Sequence, residues 1–185
     1  ADVTGVQTCA LPISSKGEGL GNQFLSNIRE VDAVCHVVRC FDLKDVTHVD
    51  GTVDPVRDFE TIDVELRLAD LESIDKRIDK LGKKKKQSPK EGLHEEAILL
   101  KIKDLLSSDT RLNYNLFEED DYPFLKQLQL LSFKKMLVIA NVGEDDLLDL
   151  DNQQHFNQLK TYLKPFDIEV VPVSAQLEAE LAVLE

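Results

Sequence analysis

Met136-Leu137-Val138-Ile139-Ala140 is an unbroken apolar run that stops at a polar turn, Asn141-Val142-Gly143-Glu144. A continuous run of this kind reads as a strand covered on both faces of a parallel sheet, which delivers the loop after it to one end of that sheet. Asp32 to Phe41, D-A-V-C-H-V-V-R-C-F, reads as a second such strand, and Asp167 to Val173, D-I-E-V-V-P-V, as a third. Between them the apolar period lengthens. Leu20, Phe24 and Ile28 fall at helical spacing after a glycine-rich stretch, Ser15 to Gly21, that predicts a mobile loop feeding a helix. Asp54-Pro55 predicts a helix start, and the seven-residue recurrence Val64, Leu71, Ile78, joined by Ile74 and Leu81, predicts a narrow coiled-coil seam. Gly82, Lys83 to Lys86 and Ser88-Pro89 are expected to break that helix. A second helix from Glu91 to Leu106 is expected to pack through Ala97, Leu99, Leu100, Ile102 and Leu106. Short helices are predicted over Tyr122–Leu131, Asp151–Leu163 and Gln176–Leu184.

The pattern predicts an α/β chain with three parallel strands (33–41, 136–141 and 167–173) and flanking helices. Interrupting them is an inserted antiparallel helical hairpin at 54–107, between sheet-forming parts at 14–53 and 108–185. Acidic residues outnumber basic ones 35 to 22 and the net charge is -13, which disfavours duplex nucleic acid as a partner of the bulk surface. No apolar run approaches the roughly 20 residues a bilayer demands. Cys9, Cys35 and Cys40 show no metal or redox spacing, so thiols in a reducing compartment, the cytoplasm, are expected. Val3 to Ile13 matches, codon by codon, one frame of a widely used sequencing-library adapter, so residues 1–13 are expected to be an artefact outside the fold. Cys9 therefore carries no role, and Asp2-Val3-Thr4-Gly5 is rejected as a metal site.

Candidate chemistry concentrates at the strand ends. The loop Asn141-x-x-Glu144 resembles the Asn-Lys-x-Asp loop of P-loop GTPases, whose carboxylate accepts hydrogen bonds from guanine's ring N–H and exocyclic amine. Here Val142 stands for the Lys and Glu144 for the Asp. A carboxylate longer by one methylene does not sit at the same reach, and adenine has an acceptor where guanine has that ring donor, so the loop points to adenine. Ser174-Ala175, at the end of the third strand, could offer backbone N–H groups to the same purine. His36 reads as a core histidine, since no second ligand lies at a metal-like spacing. The basic hairpin tip, Lys83, Lys84, Lys85 and Lys86, reads either as solvated loop or as a finger on RNA phosphate.

Taken together, Ser15-Lys16-Gly17-Glu18-Gly19-Leu20-Gly21-Asn22, His36 to Phe41, Thr47-His48-Val49-Asp50-Gly51, Asp54-Pro55, Asn141-x-x-Glu144 and Val173-Ser174-Ala175 resemble the YchF family of Obg-like ATPases. The resemblance runs from Ser14 to the end. It implies a P-loop NTPase domain, here partial, carrying a coiled-coil insertion; a C-terminal TGS domain; ATP with Mg²⁺; preference for ATP over GTP; and cytosolic ribosome association. It also implies that Asn141, Val142, Glu144, Ser174 and Ala175 contact the base. Gly-x-x-x-x-Gly-Lys-[Ser/Thr] does not occur in the sequence, so the lysine and hydroxyl that hold phosphate and Mg²⁺ are missing. An internal, catalytically inactive fragment is expected on that reading. The alternative is a non-enzymatic coiled-coil module that binds ribosome or RNA through the hairpin.

Overall fold

A computed structural model describes residues 18–42, 52–108 and 110–184, side chains excepted at 18–23, 83 and 84. The adapter-like segment, Ser15 to Gly17, Thr47 to Gly51 and the side chains of Lys83 and Lys84 lie outside the described residues. Three strands, β1 (Ala33–Arg39), β2 (Lys135–Asn141) and β3 (Glu169–Val173), form a parallel sheet in that spatial order. Register aligns Val38 with Ala140 and Arg39 with Asn141 across one pair, and Asn141 with Val173 across the other. All three strands therefore end at one level.

Six helices accompany the sheet among the described residues: α1 (Glu18–Glu30), α2 (Pro55–Gln87), α3 (Pro89–Ser107), α4 (Tyr122–Leu128), α5 (Gln154–Leu163) and α6 (Ala175–Leu181). α1 starts early enough to include Gly19 and Gly21, which the glycine-rich pattern had suggested for a loop. One face of the sheet is covered. Val38, Val138 and Ala140 pack with Phe59 of α2 and with Phe156, Leu159 and Leu163 of α5. On the opposite face, Val37 is 59% exposed, and Leu137 and Ile139 are half-buried. The expectation of strands buried on both faces is thus corrected for the described residues: the apolar run of β2 is continuous, but the helices described pack against one side. His36 stacks on Phe59 with ring centroids 5.3 Å apart, and burial lowers its pKa against the opposing pull of Asp63 and Asp58. A neutral imidazole suits that place.

Asp54 starts α2 by accepting the Arg57 N–H at 3.1 Å, with Pro55 at the first helical position, where its missing N–H costs nothing. The helix then runs through Gly82 and the lysines to Gln87, and the expected break there does not occur. Lysine is a good helix former and a single glycine costs only about 1 kcal/mol, whereas Pro89 forces Ser88 out of helical geometry (φ -135, ψ 80). α3 returns antiparallel to α2, as the Lys85–Glu96 pair and the 2.6 Å Lys103–Asp75 pair show. Gly92 permits their closest approach: a Cβ there would lie 3.0 Å from the Lys85 Cα and N.

The helix pair buries Ile74, Leu81, Ile98, Leu99, Ile102 and Leu106, and the following segment closes the cluster with Leu112, Phe117, Leu125, Leu128 and Leu130. Three positions expected to pack face outward instead: Val64 is 41% exposed, Leu100 is 51% exposed and Ala97 is exposed as well. The buried stripe of α2 is Phe59 and Leu66 against the sheet side, then Ile74 and Leu81 against α3. Between these halves sits Asp70, fully buried. Its carboxylate accepts the N–H groups of Leu131 (2.9 Å) and Ser132 (2.8 Å) at the turn that enters β2, and Arg29 of α1 approaches it at 3.4 Å. One side chain thus ties α2 to the start of the central strand.

Candidate functional site

In open parallel sheets ligands bind beyond the carboxyl ends of the strands, because the loops that leave there converge while the helices occupy the faces. Here three segments meet at that level: Cys40-Phe41 after β1, Val142 to Asp146 after β2, and Ser174-Ala175 after β3. Main-chain bonds lock them together. The Cys40 N–H donates to the Asn141 carbonyl at 2.7 Å and the Val142 N–H donates to the Val173 carbonyl at 2.9 Å. Asn141 Oδ1 accepts the Ala175 N–H at 3.0 Å, so the first and last elements of the predicted base site are directly joined. That bond fixes the amide orientation: an N–H partner requires oxygen, leaving the Asn141 Nδ2 as a donor.

The five residues singled out from the sequence fall into different roles. Asn141 bridges two loops. Val142 is 2% exposed, with its side chain in the sheet core among Val138, Ala140 and Phe156, so only its backbone lies at the loop surface. Glu144 is exposed and precedes a 3₁₀ turn, Asp145–Leu148. Ser174 is 2% exposed and caps α6, its Oγ accepting the Leu177 N–H at 3.5 Å. The N–H of Ala175 is engaged by Asn141 and so is not the open donor that the strand-ending turn suggested.

Two further residues shape the site. Asp146 Oδ2 accepts the Gly143 N–H at 3.0 Å, and a Cβ on Gly143 would meet that oxygen at 2.9 Å, so a larger residue there would push the carboxylate off the amide. Gln153, 9% exposed, accepts the Phe156 N–H to cap α5 and donates through Nε2 to the Cys40 carbonyl. An aspartate three positions after a glycine is a recognisable turn signal; a glutamine cap is not, because glutamine is no preferred N-cap. Cys40 is fully buried, and burial pushes its thiol up to about 12, which keeps it protonated and inert. Among the described residues no three His, Cys, Asp or Glu side chains converge on a metal position.

Parallel strands of one register, crossing helices and a cluster of loops at the carboxyl ends define an open α/β protein with a crevice where such sheets bind ligands. Comparison with known proteins narrows this. The chain is 44% identical over 184 residues to the ribosome-binding ATPase YchF of Bacillus subtilis (strain 168), covering 100% of this chain and 49% of the relative. It is 46% identical over 173 residues to the protein of the same name from Mycoplasma pneumoniae, covering 93% and 48%. A solved structure, the YchF GTPase of Schizosaccharomyces pombe, superposes with a TM-score of 0.78 at 30% identity, over 91% of this chain and 46% of that one. No family model matches. The chain spans about half the length of the curated relatives it matches. Over that span, it belongs to the YchF family.

Proposed function

We propose that the loops at 141–146 and 174–175 form the purine side of an ATP-preferring nucleotide site, within a cytoplasmic, ribosome-associated YchF-type NTPase. The observation that carries this reading is the Asn141–Ala175 bond, which brings the two purine-loop candidates together and leaves the Asn141 amide to donate to a purine ring nitrogen. The names of the relatives leave the base open, since the bacterial proteins are called ATPases and the yeast structure a GTPase. Glu144 and the core-directed Val142 favour adenine: the loop has no lysine, and its carboxylate is longer than the aspartate of a guanine loop. Phosphate binding needs parts that the sequence does not contain, so this chain alone is expected to hold a purine weakly and not to turn over ATP.

On this proposal residues 14–53 and 108–185 belong to the nucleotide-binding domain and 54–107 to a coiled-coil insertion whose tip, Lys83 to Lys86, touches ribosomal RNA phosphate. The packing of Phe59 on the sheet supports a root inside the domain. Displacement of a fluorescent ATP analogue from the 185-residue chain tests the base: ATP should compete better than GTP, and the reverse order would overturn the assignment. Co-sedimentation with ribosomes across a salt series tests the tip. Changing all four lysines to Ala should flatten the salt dependence by roughly one log-log unit for each phosphate no longer neutralised. An unchanged slope would return the tip to solvated loop and remove RNA from the partners.

A further inference from the structure

One titratable side chain sits inside the joint between the sheet and the helical hairpin. His36 lies on β1, in register with Val138 of β2, and its imidazole stacks at 5.3 Å on Phe59, which is buried in the first turns of α2. Tyr162 of α5 meets the same phenyl ring edge-on at 6.3 Å. The imidazole Nδ1 is buried and has no hydrogen-bond partner among the described residues. A neutral ring tolerates this, because it can carry its single proton on Nε2 and leave Nδ1 as a bare lone pair. A protonated ring does not: Nδ1 becomes a buried donor without an acceptor, and a charge enters the joint with it.

The charged groups around the stack are engaged elsewhere. On α2, Asp58 pairs with Arg57 at 3.4 Å, Asp63 takes both Arg67 and Arg111, and Glu60 accepts the Tyr162 hydroxyl at 2.8 Å. Arg111, from the segment between α3 and α4, lies over the Phe59 ring at 5.6 Å, and Cys40, further along β1, stays a neutral thiol. We propose that His36 is a proton-operated latch for the root of the hairpin: as a neutral ring it holds the first turns of α2 on the sheet, and on protonation it loosens them. The pull of burial on this histidine, which outweighs Asp63 and Asp58, agrees with that direction. Since the folded pKa is lowered, the unfolded chain binds the proton more tightly. The stability contributed is complete above the ordinary histidine value of about 6.5 and is lost as pH falls from there through the lowered folded value. Asp70, further along α2, has the opposite pH dependence, so the measurement must be local to the contacts of His36. The latch does not depend on the purine site.

Two measurements on the 185-residue chain test it. An NMR titration of the His36 imidazole should give a midpoint below the ordinary histidine value; a midpoint at or above that value would overturn the latch, whatever the folding of any variant. Amide hydrogen exchange, normalised to the intrinsic rate at each pH, should show protection over 33–39 and 55–66 falling about three- to tenfold between about pH 7.5 and 5, with a smaller change over 98–106. His36→Phe keeps an aromatic ring on Phe59 and removes the titration, so protection over 55–66 should then vary less than about twofold across the same range. A fall of the original size in His36→Phe would assign the effect to other groups and overturn the proposal. An equal fall over 55–66 and 98–106 in the unmodified chain would mark general acid unfolding and overturn it too.

Discussion

At the strand ends, Cys40, Asn141, Val142, Gly143 and Ala175 are held by single hydrogen bonds, most of them between segments far apart in sequence. In the α2–α3 pair, by contrast, the holding is done by volume: Ile74, Leu81, Leu99 and Ile102 fill a common cluster with residues from 112–130. Hydrogen bonds are directional and individually worth about 1 kcal/mol, while a filled core costs several kcal/mol to open. The loops can therefore lose their geometry without the chain losing its fold. The helix pair behaves in the opposite way, and tolerates surface chemistry so long as its interior is filled.

Substitutions that cross this divide should have the largest effects. Val142→Lys, the change that would copy a guanine loop, places a charge in the sheet core and should cost about 3–5 kcal/mol, as for other uncompensated buried charges. Denaturant unfolding would show it as a lowered midpoint, and a midpoint like that of the unmodified chain would mean that the lysine escapes to the loop surface. Ile102→Ala, at a fully buried site, should cost about 2–5 kcal/mol, whereas Leu100→Ala, 51% exposed, should stay within about 0.5 kcal/mol. Similar losses for both would restore Leu100 to the packed side expected of the second helix.

Asp70 links the two regions, and its removal should fall between them in effect. Asp70→Ala leaves the Leu131 and Ser132 amides without their acceptor and should cost about 1–3 kcal/mol. Burial holds this carboxyl above its ordinary range, outweighing the Ser132 and Leu131 hydrogen bonds and the Arg29 charge that pull it down. The folded chain then binds the proton more tightly than the unfolded one. This contribution to stability is complete below the ordinary carboxyl value of about 4 and is lost as pH rises through the raised folded value. Asp70→Asn should flatten that part of the pH–stability curve; an identical slope in the variant would assign it to other groups. A smaller effect belongs to Gly143→Ala, about 0.5–1.5 kcal/mol, because the new Cβ displaces the Asp146 carboxylate and with it one hydrogen bond. In an Asp146→Ala background the same change should cost clearly less, which a double-mutant cycle measures.

The three strands were legible to within a few residues because apolar runs bounded by charge have few other readings at that length. The helices were legible in kind but not in facing. Of the expected seam, Ile74 and Leu81 are buried and Leu71 and Ile78 are partly buried against the same cluster, which also takes in Leu112, Phe117 and Leu125, but Val64 is exposed. Sequence spacing says which residues share a face, not how many neighbours that face meets. At the candidate site, Asn141 and the Ser174-Ala175 turn were legible as a pair through their resemblance to a known loop set. The Asn141–Ala175 bond, the inward turn of Val142 and the grip of Gln153 on Cys40 were not, since each depends on tertiary placement of a backbone group.

Photo-crosslinking tests most directly the claim that the purine sits at the strand ends. The 185-residue chain would be irradiated with 8-azido-ATP and the modified residues mapped by mass spectrometry, with excess ATP as competitor. The predicted result is ATP-protected labelling confined to 141–146 and 174–176. Protected labelling concentrated instead in the cleft between α2 and α5, around Phe59, Arg111, Tyr162 and Phe166, would contradict it.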